Sequence, residues 1–261
     1  MSVANVIHVS SRDNPLVKEL GKLVRQGVVY RKLGRFWIEG DHLCRAALDR
    51  GQKPALAVFS ESFWLTAPVE WSQCATKIVV LQDALFGDIS TLESPARMGY
   101  VLDLPVAADL ALNVASVILD RVQDAGNVGS ILRSAGAFGF RQVIALEGTA
   151  ALWSPKVLRA GMGAHFGLTL IEGVELSRLE GLSVPVVVTS SHRGELLQHQ
   201  NLPAPCAWAF GHEGQGVCAA LMARAAVLVR IGQPGGEESL NVAAAAAICL
   251  HASSIGAGRT G

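Results

Sequence analysis

The sequence predicts an α/β protein, with a mostly parallel sheet in the C-terminal part of the chain and a smaller α/β domain at the N-terminus. From residue 115 onward, short apolar runs alternate with helical segments, which is the pattern of parallel strands joined by crossover helices. Three loops rich in glycine and polar residues each follow one of these apolar runs. Half of the 261 residues are apolar, which is enough for well-formed cores without disulfide staples.

The first domain is predicted to span residues 1–107. Asn14 followed by Pro15 is a helix start signal, and the leucine stripe after it predicts a helix that ends at Gln26. Arg31 and Lys32 are predicted to lie in the loop that follows. The other predicted elements are a strand at 35–39, a helix from Asp41 to about Gly51, strands at 56–59, 77–81 and 99–104, and a linker over Asp103–Leu112.

The second domain is predicted to span residues 108–261. Its strands are expected near 115–119, 142–146, 168–171, 184–189, 206–210 and 227–231. Its helices are expected near 128–138, 155–161 and 217–223, with a last helix that starts at about Asn241. Strands and helices in alternation imply a parallel sheet with helices on both faces.

The first of the three loops follows the first strand of this domain and leads into the helix at 128–138, with Asn127 as its predicted N-cap. In that helix, Arg133 shares a face with Gly129 and Gly136. Glycine inside a helix costs about 0.5 to 1 kcal/mol relative to alanine, so two glycines around one arginine need a reason. Either backbone or ligand comes close to this face and Arg133 points into a site, or Arg133 is a surface arginine on a glycine-tolerant helix.

The second loop, residues 210–216, and the third loop, residues 230–241, also follow predicted strands. In the second loop, three glycines surround Glu213 and let the backbone curl around something small, although a tight turn with an exposed glutamate has the same composition. In the third loop, Ser239 or Asn241 can cap the helix that follows. The carboxyl ends of parallel strands lie at one edge of a sheet, so the three loops together predict one shared binding site.

The charge is unevenly distributed along the chain. The formal net charge is zero, but residues 1–50 contain nine Lys/Arg against five Asp/Glu, whereas residues 51–115 contain three against seven. A basic N-terminal segment on a neutral chain suggests a local anion-binding surface, and an ordinary pair of solvated helices is the alternative.

Several classes of protein are disfavoured by what the sequence lacks. There is no Walker A loop, no G-x-S-x-G elbow and no H-E-x-x-H, and the Cys/His spacing suits no zinc site, so we expect neither a nucleotide hydrolase nor a serine or metal hydrolase, and no metal. The five cysteines form no C-x-x-C pair, and their odd number argues against a disulfide framework. With no signal-peptide pattern and no apolar run of about 18 residues, the expected location is the cytoplasm, without membrane association.

The three loops carry motifs that resemble those of a known family. The motifs are Asn127-x-Gly129-x-x-x-Arg133-x-Ala135, Phe210-Gly211-x-Glu213-x-x-Gly216 and Glu238-Ser239-Leu240-Asn241-Val242-Ala243. In this order and spacing they closely resemble the three motifs of the SpoU/TrmH-type RNA ribose 2'-O-methyltransferases of the SPOUT superfamily. The N-terminal stretches Ser10-Ser11-Arg12, Asn14-Pro15 and Arg35–Gly40 are similar to that family's substrate-binding domain, so the resemblance covers nearly the whole chain.

The resemblance implies a fold, a cofactor and an assembly. It implies a sheet whose C-terminal segment is threaded into a deep trefoil knot, S-adenosyl-L-methionine (SAM) bound in that knot, and a homodimer. The family's cofactor contacts would map onto Gly211, Ile231 and Leu240, with Thr189 at the end of the preceding strand as a further candidate.

The resemblance also implies a catalytic set, which is Asn127, Arg133, Glu213, Ser239 and Asn241. A ribose 2'-hydroxyl must lose a proton as it attacks the methyl group, so the site needs positioning and a proton acceptor. The arginine is usually assigned the second role, yet a guanidinium stays protonated near neutral pH. We therefore expect Arg133 to bind the phosphate of the target nucleotide and to hold the hydroxyl.

The N-terminal domain is expected to bind RNA. Its candidate phosphate contacts are Arg12, Lys18, Lys22, Arg25, Arg31, Lys32 and Arg35. By analogy with family members that carry such a domain, the expected substrate is 23S ribosomal RNA. Two alternatives stay open: a tRNA ribose 2'-O-methyltransferase, and a non-catalytic RNA-binding or assembly factor with the same fold.

Overall fold

The computed structural model describes residues 5–191, 193–235 and 239–257. Its strands are β1 (Asn5–Val9), β2 (Arg35–Glu39), β3 (Leu56–Ser60), β4 (Lys77–Leu81), β5 (Met98–Asp103), β6 (Ser116–Asp120), β7 (Gln142–Leu146), β8 (Thr169–Val174), β9 (Val186–Thr189), β10 (Glu195–Leu196), β11 (Ala207–Gly211) and β12 (Val227–Arg230). Its α-helices are α1 (Pro15–Arg25), α2 (Val29–Leu33), α3 (Asp41–Asp49), α4 (Glu61–Trp64), α5 (Glu70–Gln73), α6 (Asp83–Ile89), α7 (Ala125–Ala137), α8 (Pro155–Gly161), α9 (Ala219–Met222) and α10 (Val242–Ala257). None of the helices in these ranges combines the length and the hydrophobicity that a membrane span needs.

The chain divides into two compact units. One consists of Met1–Val106 with Trp153–Phe166, and the other of Ala107–Leu152 with Gly167–Gly261. The segment Trp153–Phe166, which contains α8, thus packs with the first unit, whereas the predicted boundary places it in the second domain. The ring of Trp153 lies 4.7 Å from that of Phe36 on β2, a contact that the spacing of the sequence could not reveal.

The first unit is built on a five-stranded mixed sheet in the order β1-β4-β3-β5-β2. Strands β1, β4 and β3 run parallel, whereas β5 is antiparallel to both β3 and β2. Helix α1 begins as predicted, because the Asn14 side chain accepts a hydrogen bond from the Leu16 N–H (2.9 Å) and Pro15 occupies the first turn. It buries Leu20 and Leu23 in the core and leaves its basic side chains in solvent.

Two parts of this unit differ from the prediction. The prediction of a loop around Arg31 and Lys32 is wrong, because both residues lie in α2. Gly34 follows the helix as its C-cap in the left-handed conformation (φ 64°). Strand β1 was not predicted. It has five residues and pairs only with β4 at the edge of the sheet, so its apolar pattern is too short to stand out.

The second unit is built on a seven-stranded sheet in the order β10-β12-β9-β11-β6-β7-β8, in which all neighbours are parallel. The predicted mostly parallel sheet is confirmed, and the knot stays an implication of the resemblance. On one face, Ile118, Val188 and Ala209 pack in a common core. Trp208 alternates to the other face, where its Nε1 donates to Ser253 Oγ on α10 (2.8 Å).

The middle of this sheet positions the site. Strands β12, β9, β11 and β6 are consecutive neighbours, and all of them run in the same direction. The loops that follow them therefore open at one edge of the sheet. These include all three loops in which the sequence placed its motifs.

Candidate active site

The loops after β9, β11 and β12 and the start of α10 surround a cavity of about 570 Å³. Cavities of this size commonly hold small molecules. All four predicted cofactor-binding residues line it: Thr189, Gly211, Ile231 and Leu240. Ser239 lines it as well, and Glu213 is the one carboxylate among the described lining residues.

The glycines of the second loop are required by the loop itself. His212 N–H donates to the Gly216 carbonyl (3.1 Å), and Gly216 N–H donates back to the His212 carbonyl (2.8 Å), which closes a tight turn. A Cβ on Gly211 would lie 2.1 Å from the Gly216 carbonyl carbon, and Gly216 has a φ of 67°. No side chain fits at Gly211, so the cavity is lined by bare backbone at that point.

A directional chain of hydrogen bonds joins the three loops. Asn241 Nδ2 donates to Asn127 Oδ1 (2.9 Å), and Asn127 Nδ2 donates to Glu213 Oε1 (3.0 Å). Because a carboxylate only accepts, Asn127 turns its NH₂ group toward Glu213 and its oxygen toward Asn241. The Asn241 oxygen is left to cap α10, where it accepts from the N–H groups of Ala243 (2.9 Å) and Ala244 (3.2 Å). Three of the predicted catalytic residues are thus in contact.

The N-cap of α7 is Asp124, so the prediction of Asn127 as the cap is wrong. Asp124 Oδ1 accepts from the Asn127 N–H (2.7 Å), and the helix begins at Ala125. This arrangement leaves the Asn127 side chain available for Glu213 and Asn241. An aspartate three residues before Asn127 is a capping signal that the sequence contained.

Glu213 is a fixed hydrogen-bond acceptor. Besides Asn127, it accepts from the backbone N–H groups of Asp124 (3.1 Å) and Gln123 (3.2 Å). Partial burial disfavours its charge, but the hydrogen bonds outweigh this effect and lower the pKa of Glu213 to about 2. A carboxylate this acidic holds a proton poorly near neutral pH, so its contribution is to orient Asn127 and the first loop.

The lowered pKa of Glu213 predicts a pH dependence of stability. The folded value, about 2, lies below the ordinary value of 4.5, so the hydrogen bonds to the carboxylate stabilise the fold fully above about pH 4.5 and are lost as the pH falls toward 2. We expect wild type to exceed Glu213→Gln in free energy of unfolding by a constant amount at neutral pH, and by a shrinking amount below about pH 4.5. Urea unfolding at a series of pH values measures this difference. A difference that stays constant down to about pH 3 would contradict the assigned contacts.

Arg133 does not line the cavity. Its side chain lies on the exposed side of α7, and in the described ranges no hydrogen bond or ion pair joins the guanidinium to another residue. A Cβ on Gly136, which shares its helix face, would have no heavy atom within 4 Å. The face is therefore open to a ligand at Arg133 and Gly136, whereas Gly129, one turn earlier, is buried.

The seven predicted RNA contacts are all exposed, but several are already paired with acidic or carbonyl groups. Ion pairs join Arg12 to Asp88 (2.6 Å), Lys18 to Asp13 (2.9 Å) and Arg35 to Asp103 (2.9 Å), and Arg25 donates to the Asp88 carbonyl. Arg31 contacts the Tyr30 ring. Lys22 and Lys32 form no ion pair within the described residues, so they are the most available of the seven.

Two residues at the end of β6 are not among the predicted site residues. Asp120 is 2% exposed and forms an ion pair with Arg121 (2.8 Å). An acidic–basic pair directly after an apolar strand was the available signal.

Across the described ranges, no cluster of three or more His, Cys, Asp or Glu could hold a metal ion.

Comparisons with known proteins converge on one family. The SpoU rRNA Methylase family model matches residues 115–251. The 23S rRNA (guanosine(2553)-2'-O)-methyltransferase RlmP of Bacillus subtilis is 30% identical over 249 residues, which cover 93% of this chain and 97% of that protein. The crystal structure of an RNA 2'-O ribose methyltransferase, 27% identical, superposes with a TM-score of 0.80 over 96% of this chain and 99% of that one. An AdoMet-bound rRNA methyltransferase from Sinorhizobium meliloti, 25% identical, gives a TM-score of 0.80 over 95% and 97% of the two chains.

Proposed function

The chain belongs to the SpoU rRNA methylase family, and on that premise we propose that it transfers the methyl group of SAM to a ribose 2'-hydroxyl of 23S rRNA. The observation that carries the proposal is the hydrogen-bond chain from Asn241 through Asn127 to Glu213. It joins the three motif loops beside the cavity that the predicted cofactor residues line.

The cavity has the chemistry that SAM requires. Its described lining is mostly uncharged, which suits a neutral adenosine moiety, and the bare backbone at Gly211 permits close approach. Thr189, Gly211, Ile231 and Leu240 would hold the cofactor. When bound, SAM supplies a sulfonium methyl group as the electrophile.

The residues of this chain would act by positioning the nucleotide. Asn127, Glu213 and Asn241 hold the three loops in one arrangement, so the reacting hydroxyl meets a fixed site rather than a mobile one. The exposed Arg133 would bind the phosphate of the target nucleotide and orient its 2'-hydroxyl through the planar guanidinium fork. Ser239, which lines the cavity, would help to place the substrate.

Mapping of ribose methylation in RNA from cells with and without the gene tests the proposal. We expect one 2'-O-methylated nucleotide of 23S rRNA to lose its methyl group when the gene is removed. Loss of a tRNA methyl group would instead favour the tRNA enzyme, and unchanged methylation in both RNAs would favour a non-catalytic factor. A ribosomal substrate also accords with the cytoplasmic location that we propose.

The most available basic residues of the first unit would bind RNA phosphates. Replacing Lys22 and Lys32 together with glutamate is expected to weaken binding of 23S rRNA fragments about tenfold, and to flatten the slope of log K against log salt by about one for each lost contact. Filter binding at several salt concentrations measures both quantities. Lys53→Glu, a charge reversal at another exposed lysine of the same unit, is the control. If the salt slope of the double variant equals that of wild type, these lysines are only solvated.

The homodimer would form through α10. This helix buries Ala246, Cys249 and Leu250 but exposes Ile248 (42%) and Ile255 (52%) on one side, an apolar stripe of the kind that protein interfaces cover.

Replacing Ile248 with glutamate is expected to convert the dimer to a monomer, because a charge would be buried in the interface. Light scattering coupled to gel filtration measures the mass. Leu65→Glu, at an exposed leucine of the first unit, should leave the dimer intact. A dimeric Ile248→Glu variant, or a monomeric wild type, would place the assembly elsewhere or remove it.

A further inference from the structure

The end of β6 holds a buried carboxylate whose oxygens are both engaged. Asp120 is 2% exposed; its Oδ1 accepts from Arg121 Nε (2.8 Å) and its Oδ2 accepts from the Cys218 backbone N–H (2.6 Å). A buried charge is costly unless it is paired and hydrogen-bonded, and Asp120 is both. The carboxylate thereby ties the end of β6 to Cys218, just beyond the second loop.

Arg121 adopts a backbone conformation that arginine rarely takes. Its φ is 59°, in the left-handed region, which for a residue other than glycine costs on the order of 1 kcal/mol or more. Two hydrogen bonds through Thr149 hold this conformation. The Arg121 N–H donates to Thr149 Oγ1 (3.1 Å), and the Thr149 hydroxyl donates to the Leu119 carbonyl (3.0 Å). Strained residues that are held this firmly are concentrated at functional sites.

The turn lets the Arg121 guanidinium bond in two directions. Its Nε faces Asp120, and one terminal nitrogen donates to Gln215 Oε1 (3.1 Å). Gln215 lines the cavity two residues after Glu213. The bonds of Glu213 run to Gln123, Asp124 and Asn127, beyond the end of β6. The Arg121–Gln215 bond is therefore a separate link between the chain that follows β6 and the second loop.

We propose that Arg121 is a positioning residue that acts through Gln215. Together with Asp120 it holds the second loop against the cavity and so sets the affinity for SAM. The proposal rests on the methyltransferase function proposed above. It assigns a role in cofactor affinity to residues outside the three motifs.

The variant Arg121→Gly tests the proposal without new backbone strain, because glycine accepts a φ of 59° freely. We expect its Kd for SAM to rise about tenfold, the size of the lost charge-assisted bond to Gln215, with RNA affinity unchanged. Loss of the cation beside the buried Asp120 should in addition lower the melting temperature. Arg121→Lys keeps a cation beside Asp120 but lacks the planar fork that reaches Asp120 and Gln215 from different nitrogens, so its Kd should be intermediate. Calorimetric titration with SAM measures the Kd of wild type, Arg121→Gly and Arg121→Lys.

A double-mutant cycle separates positioning from a general loss of structure. If Arg121 acts through Gln215, the pair Arg121→Gly and Gln215→Leu should have a Kd no higher than Arg121→Gly alone. A merely structural role would lower the melting temperature and the fraction of active protein, and leave the Kd of the remaining sites unchanged. Arg141→Ala, an exposed arginine of the same unit, is the control.

The outcomes distinguish this proposal from the function on which it rests. A wild-type Kd in Arg121→Gly, or strictly additive effects in the cycle, would overturn the positioning role while SAM binding by wild type stands. A wild-type protein that binds no SAM would overturn the proposed function and the positioning role together.

Discussion

Replacing Arg133 with lysine is expected to lower kcat for methyl transfer about 100-fold and to leave the Kd for SAM unchanged. The guanidinium is a planar fork that can hold a phosphate and a hydroxyl at once, whereas an ammonium is a point charge on a flexible stem. A misplacement of about 1 Å in a positioned reactant can cost a factor of about 100 in rate. The Kd should not change, because Arg133 lies outside the cavity. Single-turnover kinetics and calorimetric titration measure the two quantities separately.

The matched control is Arg141→Lys, which makes the same change at an exposed arginine of the same unit. It should transfer methyl groups at the wild-type rate. Full turnover by Arg133→Lys, with unchanged RNA affinity, would show that the shape of the guanidinium has no role.

Replacing Asn127 with aspartate is expected to lower kcat/KM by a few hundred-fold. The substitution keeps the shape of the side chain but replaces the donor that faces Glu213 Oε1, 3.0 Å away, with a second carboxylate oxygen. The hydrogen bond to a charged group is lost and like charges are placed in contact, which together cost about 3 to 4 kcal/mol. Because Glu213 lies in the second loop and Asn127 in the first turn of α7, the repulsion separates the two segments that form the site. Steady-state kinetics with varied SAM measures the loss.

Asn241→Asp is the matched control for that change. An aspartate at position 241 still caps α10 and does not face Glu213. It loses the bond donated to Asn127 (2.9 Å) and places a carboxylate oxygen against the neutral Asn127 Oδ1, a weaker repulsion than that between two carboxylates. Its loss of kcat/KM should be closer to tenfold. Equal effects of the two variants would mean that the order of the hydrogen-bond chain is not as assigned.

The strands around the site could be predicted from the sequence because each is an unbroken apolar run. Strands β6 and β11 are buried along their whole length, so every position is apolar or satisfied by a neighbour, and the predicted and observed bounds differ by one residue. The convergence of the loops followed from the parallel direction of these strands. Strands β1 and β10 lie at the edges of their sheets and are only five and two residues long. Their apolar patterns are therefore too short to predict a strand.

The contacts within the site could not be predicted in the same way. Asn127 and Asn241 are 114 residues apart, and nothing local to either determines which partner its amide bonds. The partners of Asn127 depend on Asp124, which caps α7 and so leaves the Asn127 amide to bond both Glu213 and Asn241. Arg121 is a similar case, since its role depends on a left-handed backbone and on Gln215, 94 residues away.

The central claim, that the three loops form a site for methyl transfer to ribose, is tested most directly by the fate of a labelled methyl group. The protein is incubated with methyl-labelled SAM and 23S rRNA from cells that lack the gene, and the RNA is digested to nucleosides and separated. We predict that the label is found in one 2'-O-methylnucleoside, and that it is absent with Asn127→Asp. Label on a base, or no label on RNA while SAM binds normally, would contradict the claim.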